Sequence, residues 1–154
     1  MSYDNLRFGR FSQRDQIYSV TCVTQNREPV FFNLMAARIL INEIRILSES
    51  GYINSLAFVV MPDHLHWLLQ MTSELNLSDV MKRLKARSAL KVNKKLKRQG
   101  SVWQRAFYDH AVRREEDLLG VAGYIVANPA RAGLVTNLAD YPHWDCVWPD
   151  LLVE

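Results

Sequence analysis

The sequence predicts an α+β fold in which an antiparallel sheet of the split βαβ kind carries two helices on one face. Three observations lead there. Residues 32–50 and 78–97 repeat apolar side chains at the helical period, and two short apolar runs, 54–61 and 64–71, are joined by Pro62-Asp63. Strand-like runs stand before and after them. The order is therefore strand, helix, strand, strand, helix, strand, with a short helix and a tail appended.

Taken in order, residues 1–16 are polar and aromatic without a clear period, and Arg7, Arg10 and Arg14 are spaced along them. They read as an arm lying on the domain or on a ligand. Ile17, Val20, Thr21, Val23 and Thr24 favour a first strand over 17–24, which the stretch from Asn26 to Pro29 ends. Leu34, Ala37, Leu40, Ile41, Ile44 and Leu47 share one face of the first long helix, stopped by Gly51. The 54–61 and 64–71 runs pair as a hairpin in the middle of the sheet.

The second long helix buries a narrow stripe through Leu77, Met81, Leu84, Ser88, Val92 and Leu96, and Gln99-Gly100 closes it. Residues 103–112 alternate loosely and predict another strand, with Tyr108 a packing residue. Glu115, Glu116 and Asp117 suit a helix N-terminus, and a short helix over 117–128 ends at Pro129. From Asn137 the chain reads as an irregular tail, 137–154, in which Pro142, Trp144, Trp148 and Pro149 pack.

At 154 residues the chain fits one domain, 1–154, that removes roughly 70% of its unfolded surface from water. A hydrophobic fraction of 49% and a charged fraction of 23% exclude a mainly disordered protein. No apolar run approaches the ~20 residues needed to cross a bilayer, and charges stand where a signal peptide needs its apolar block. A cytoplasmic protein without membrane association is expected. Cys22 and Cys146 are far apart and lack CxxC spacing, so both read as packing residues.

The net charge of +3 hides a segregation. Nine basic residues lie between Lys82 and Arg98 with no acidic one, namely Lys82, Arg83, Lys85, Arg87, Lys91, Lys94, Lys95, Lys97 and Arg98. The rest of the chain carries 10 basic against 16 acidic groups, or −6. Local cation density of this kind suits a polyanion through counterion release; a solvated helix face is the plainer alternative.

Two features carry possible chemistry. His64 and His66 are two apart, so the strand period puts both imidazoles on one face, where they either grip one divalent cation or simply face a polar groove. Tyr124 and Asn128 are four apart on the last helix and lie one above the other. The apolar side of that helix runs through Leu118, Ala122 and Ile125, which leaves Tyr124 at the edge of the buried face. If that helix packs beside the histidine strand, a phenol, an amide and two imidazoles converge in an arrangement suited to attack on a phosphodiester. Otherwise Tyr124 is a boundary residue and Asn128 a helix end. Arg131 fits either a phosphate or the helix dipole, His110 is a ligand or a structural histidine, and His143, Trp144 and Trp148 read as tail anchors.

Three motifs, Met61-Pro62-Asp63-His64-Leu65-His66, the stretch from Val102 to His110, and the stretch from Tyr124 to Val135, occur here in that order. Together they closely resemble the single-tyrosine HUH transposases of the IS200/IS605 type, nearest to the REP-associated tyrosine transposase branch. The resemblance spans about 17–148. It implies a ferredoxin-like HUH domain whose added C-terminal helix carries the tyrosine, with His64 and His66 binding Mg²⁺ or Mn²⁺ and Tyr124 as the nucleophile. That nucleophile would cut single-stranded DNA, leaving a 5′-phosphotyrosine and a free 3′-hydroxyl. Asn128 matches a third polar ligand that relatives often supply as Gln, and the change shortens its reach. The implied partner is a palindromic DNA hairpin with a single-stranded flank, bound by a monomer rather than a homodimer. Phosphates would meet Lys82, Arg83, Lys85, Arg87, Lys91, Lys94, Lys95 and Arg131, and unpaired bases the arm with Arg7, Arg10 and Arg14. Two alternatives remain: a protein that grips such hairpins without cutting, and a metal-dependent phosphodiesterase that uses water.

Overall fold

The computed structural model describes residues 15–148. Arg7, Arg10, Arg14 and Pro149 lie outside the described residues. Five strands, β1 (Ile17–Val23), β2 (Ile53–Met61), β3 (His64–Met71), β4 (Tyr108–Val112) and β5 (Trp144–Cys146), form one antiparallel sheet in the order β4-β1-β3-β2-β5. The central strand β3 sets the two faces. Leu65, Trp67, Leu69 and Met71, all fully buried, point to one side, and His64, His66, Leu68 and Gln70 to the other.

Helices α1 (Leu34–Glu49) and α2 (Leu77–Leu96) cover the first side and enclose the main core. Each begins where an asparagine accepts orphan backbone N–H groups: Asn33 from Met35 and Ala36, and Asn76 from Asp79. The buried stripe of α1 runs through Ala36, Ala37, Leu40, Glu43, Ile44 and Leu47. Leu34, expected on it, is 57% exposed. Glu43 belongs to the stripe because α2 meets it with two cations, Arg87 Nε at 2.8 Å and Lys91 Nζ.

Burial disfavours a charge on Glu43, yet the hydrogen bonds from Lys91 and Arg87 outweigh it and hold the carboxyl below its ordinary value. Stability from a lowered carboxyl pKa is present above the ordinary value near 4.5 and is lost as pH falls through the folded value. Glu43→Gln is therefore expected to cost about 2 kcal/mol at neutral pH. The difference between variant and parent should vanish in acid, which denaturant midpoints measured at both pH values would check.

Three expectations are corrected. Residues 103–107 are not strand: β4 begins only at Tyr108, and Trp103 keeps a single bridge with Thr24. The cause is Lys85, whose ammonium donates to the carbonyls of Gln104, Arg105 and Ala106 at 2.7, 3.2 and 3.1 Å and bends that backbone away from a ladder. The tail is not wholly irregular, since β5 pairs with Ala57, Phe58 and Val59 of β2. The Tyr141 hydroxyl donating to the Val60 carbonyl at 2.6 Å, and Val60 N–H donating to His143 O at 2.8 Å, lead the chain onto that edge. Finally, α3 (Glu115–Val126) ends before Asn128, which opens a one-turn helix α4 (Asn128–Arg131). Ala127 stays helical, while Pro129 fits only a first turn because it has no N–H to give.

Helix α3 lies on the second side of the sheet, opposite α1 and α2. Ala122, Ile125 and Val126 pack there on Ala57, Val59, Met61, Leu68 and Val112, with Trp144 and Trp148 alongside. Cys22 is buried in the main core and Cys146 packs in this second one; both are free thiols. No helix among the described residues is long and apolar enough to cross a membrane.

Candidate nucleic-acid processing site

The strand period puts His64 and His66 on the face that α3 covers, their ring centroids 6.2 Å apart. His66 stands opposite Thr21 and Val59, and His64 opposite Val23 and Met61. The Pro62-Asp63 turn places a carboxylate on the first imidazole: Asp63 Oδ1 is 2.9 Å from His64 Nδ1, and Arg27 Nη1 donates to Asp63 Oδ2 at 3.1 Å. Burial works against this carboxylate, but the hydrogen bonds with His64 and Arg27 prevail and hold it below its usual range. An ionised Asp63 accepting from Nδ1–H leaves the His64 Nε2 lone pair available.

His66 is pushed the other way. Burial, then the neighbouring His64, then Arg131 lower its pKa to about 4, so it is neutral near pH 7. Neutral imidazole is the form that binds a cation.

The α3–α4 junction joins the strand here. Asn128 Nδ2 lies 3.3 Å from His66 Nδ1, and three residues on Arg131 reaches back to Tyr124. Its Nη1 donates to the Tyr124 carbonyl at 2.7 Å, a last-turn group that a helix end leaves short of partners. The same guanidinium covers the phenol ring, Cζ standing 3.7 Å from the centroid. Tyr124 is 60% exposed, so a ring covered by Arg131 is still reached by solvent. His64, His66, Asn128, Tyr124 and Arg131 thus belong to one linked set.

Two imidazoles with a carboxamide beside them are a donor set that could hold one divalent cation. Among the described residues no three His, Cys, Asp or Glu side chains gather to hold a metal. A cation here would rest on two neutral imidazoles with the Asn128 carboxamide beside them, leaving room for phosphate and water oxygens.

The basic helix is placed differently from what its charge suggested. α2 lies across the sheet from the histidines, and much of its charge serves the fold. Lys85 holds three carbonyls, Arg87 and Lys91 hold Glu43, Arg83 stacks 4.8 Å from the centroid of Tyr52, and Arg98 binds Glu28 and Asn93. Lys82, Lys94, Lys95 and Lys97 stand exposed. Just past the C-terminal end of α2, Arg98 pairs with Glu28, and Thr24 Oγ1 joins the carbonyls of Glu28 and Asp63, which links this end of the helix to the turn before His64.

Two participants escaped the sequence reading. Arg27 supports Asp63 from a loop where both Asn26 and Arg27 take positive φ, 58° and 52°, a conformation that costs energy in a bulky residue. Nothing in the sequence separates it from other arginines. Tyr108, expected to pack, is 64% exposed, and its alternation with buried Asp109 was the available signal.

The profile described as "Transposase IS200 like" matches residues 12–128, three quarters of the chain. A Haemophilus influenzae protein classed with the REP-associated tyrosine transposases is 27% identical over 141 residues, covering 82% of this chain and 77% of that one. The REP-associated tyrosine transposase of Escherichia coli is 30% identical over 88 residues, 56% of this chain and half of that protein. Among solved structures, a REP-associated tyrosine transposase bound to a REP hairpin shares the fold, with a TM-score of 0.74 at 21% identity over 90% of this chain and 81% of its own. With three motifs, the fold and the matched profile in agreement, this chain belongs to the IS200-like transposase family.

Proposed function

We propose that this chain cleaves and rejoins single-stranded DNA beside palindromic hairpins through covalent attachment to Tyr124. The observation that carries the reading is the contact between Asn128 and His66, which ties the chain just past the helix bearing the phenol to the strand bearing the imidazole pair. The hairpin found with the structural relative supports the choice of substrate.

The Tyr124 oxygen attacks phosphorus, its proton passing to the solvent that reaches the ring. A P–O bond to tyrosine forms as the bond to the 3′-oxygen breaks, giving a 5′-phosphotyrosine and a protonated 3′-hydroxyl. Attack by a 3′-hydroxyl reverses these bonds and frees the phenol. Arg131, already on the ring, offers further N–H donors to the phosphate. Asp63 and Arg27 fix the orientation of His64, and burial keeps His66 neutral. His64 and His66, with Asn128, would hold Mg²⁺ or Mn²⁺, which when bound supplies Lewis-acid polarisation of a phosphate oxygen.

Incubation with a hairpin oligonucleotide carrying a single-stranded flank and Mn²⁺ is expected to give an adduct stable to denaturant. Tyr124→Phe should remove it while binding persists. An adduct that survives in the variant moves the nucleophile elsewhere. Binding in chelator with no adduct under any metal marks a protein that only grips hairpins, and turnover without a covalent species marks a phosphodiesterase that uses water.

A further inference from the structure

Antiparallel registers align Tyr108 of β4, Thr21 of β1 and His66 of β3 in one row across the sheet, so all three side chains share a face. On that face α3 covers β2, β3 and the Val112 end of β4, as its packing on Ala57, Val59, Met61, Leu68 and Val112 shows. The half made by β1 and the start of β4 carries Tyr108 and His110, both exposed, with the smaller Ser19 and Thr21 between them and β3. A tyrosine 64% exposed on a strand, two strand spacings or about 10 Å from His66, is a flat ring presented beside the reaction centre.

Its surroundings favour a nucleic-acid base. The carboxylate nearest in sequence, Asp109, is buried and by alternation points to the opposite face, while exposed Arg105 precedes the strand and Arg131 stands at Tyr124. The strand that carries the ring is anchored, because Lys85 pins the backbone of residues 104–106 shortly before it. A pre-set aromatic face on a rigid strand gives a base a stacking surface that tolerates any sequence.

We infer that Tyr108 is the stacking platform for a base in the single-stranded segment leading to the phosphate attacked by Tyr124. A nucleotide or two would span the roughly 10 Å between Tyr108 and His66. This role rests on the function proposed above, since it requires the cleaved strand to cross the half of the sheet that α3 leaves uncovered.

The test uses the full chain carrying Tyr124→Phe, so that no cutting intervenes, and hairpin oligonucleotides whose mixed-sequence flank holds a fluorescent purine analogue at one position. Tyr108→Ala is expected to weaken binding of flanked hairpins roughly tenfold or more and to abolish the quenching of the analogue at one flank position. Tyr108→Phe should retain both, and blunt hairpins should bind the alanine variant as they bind the parent. Unchanged affinity and quenching in Tyr108→Ala would overturn the stacking role while leaving cleavage by the native chain intact. Equal loss on blunt hairpins would reassign Tyr108 to general structure and overturn it too. A parent that ignores every hairpin would remove both the proposed function and this subsite.

Discussion

Replacing His66 by alanine is expected to lower metal-dependent DNA cleavage by roughly 10³-fold while changing stability by no more than about 1 kcal/mol. His66 is a neutral imidazole beside His64 and against the Asn128 carboxamide, so its loss removes one of two ring donors from the proposed cation site. Its removal also severs the link between β3 and the helix end that carries Tyr124. The side chain lies on the α3 side of the sheet and is no part of the main core, which is why the fold should tolerate the change. Single-turnover cleavage and thermal unfolding of the same preparation separate the two effects. Cleavage within tenfold of the parent would remove His66 from the site.

One residue further along the strand the balance reverses. Trp67→Ala is expected to cost about 4 kcal/mol, a large part of the stability of a domain this size. Trp67 is fully buried on the face that α1 and α2 cover, and its indole N–H donates to Ser55 Oγ at 3.0 Å. Alanine leaves a large cavity at the centre of the sheet and a half-buried hydroxyl without its donor. Urea unfolding should show a lowered midpoint, and a loss below about 1.5 kcal/mol would mean the core collapses around the gap far better than close packing allows. Two adjacent positions thus divide function from stability because a strand sends them to opposite faces.

The same period of two is what put both histidines on one face from residues alone, whereas Tyr124 and Asn128, four apart, fall on successive helices, and it was the resemblance of their motif that singled them out. The long helices were legible because their apolar residues repeat without interruption. Where tertiary partners decide, the sequence was silent. β5 is three residues long and follows Pro142, so only its docking on β2 makes it a strand. Residues 103–107 carry strand-like residues, but an ammonium from α2 claims three of their carbonyls. Charge counting located the basic helix but not the contacts that several of its cations make within the fold, because nothing in a run of lysines and arginines reveals that Glu43 and Tyr52 wait opposite them.

That division of labour on α2 has a consequence for ionic strength. Partners of a buried carboxylate are screened little by added electrolyte, whereas any attraction between the exposed ammonium groups at Lys82, Lys94, Lys95 and Lys97 and a polyanion falls as counterions compete. One helix therefore carries two populations of charge, and salt that weakens whatever its exposed lysines attract leaves its anchorage to the rest of the domain in place.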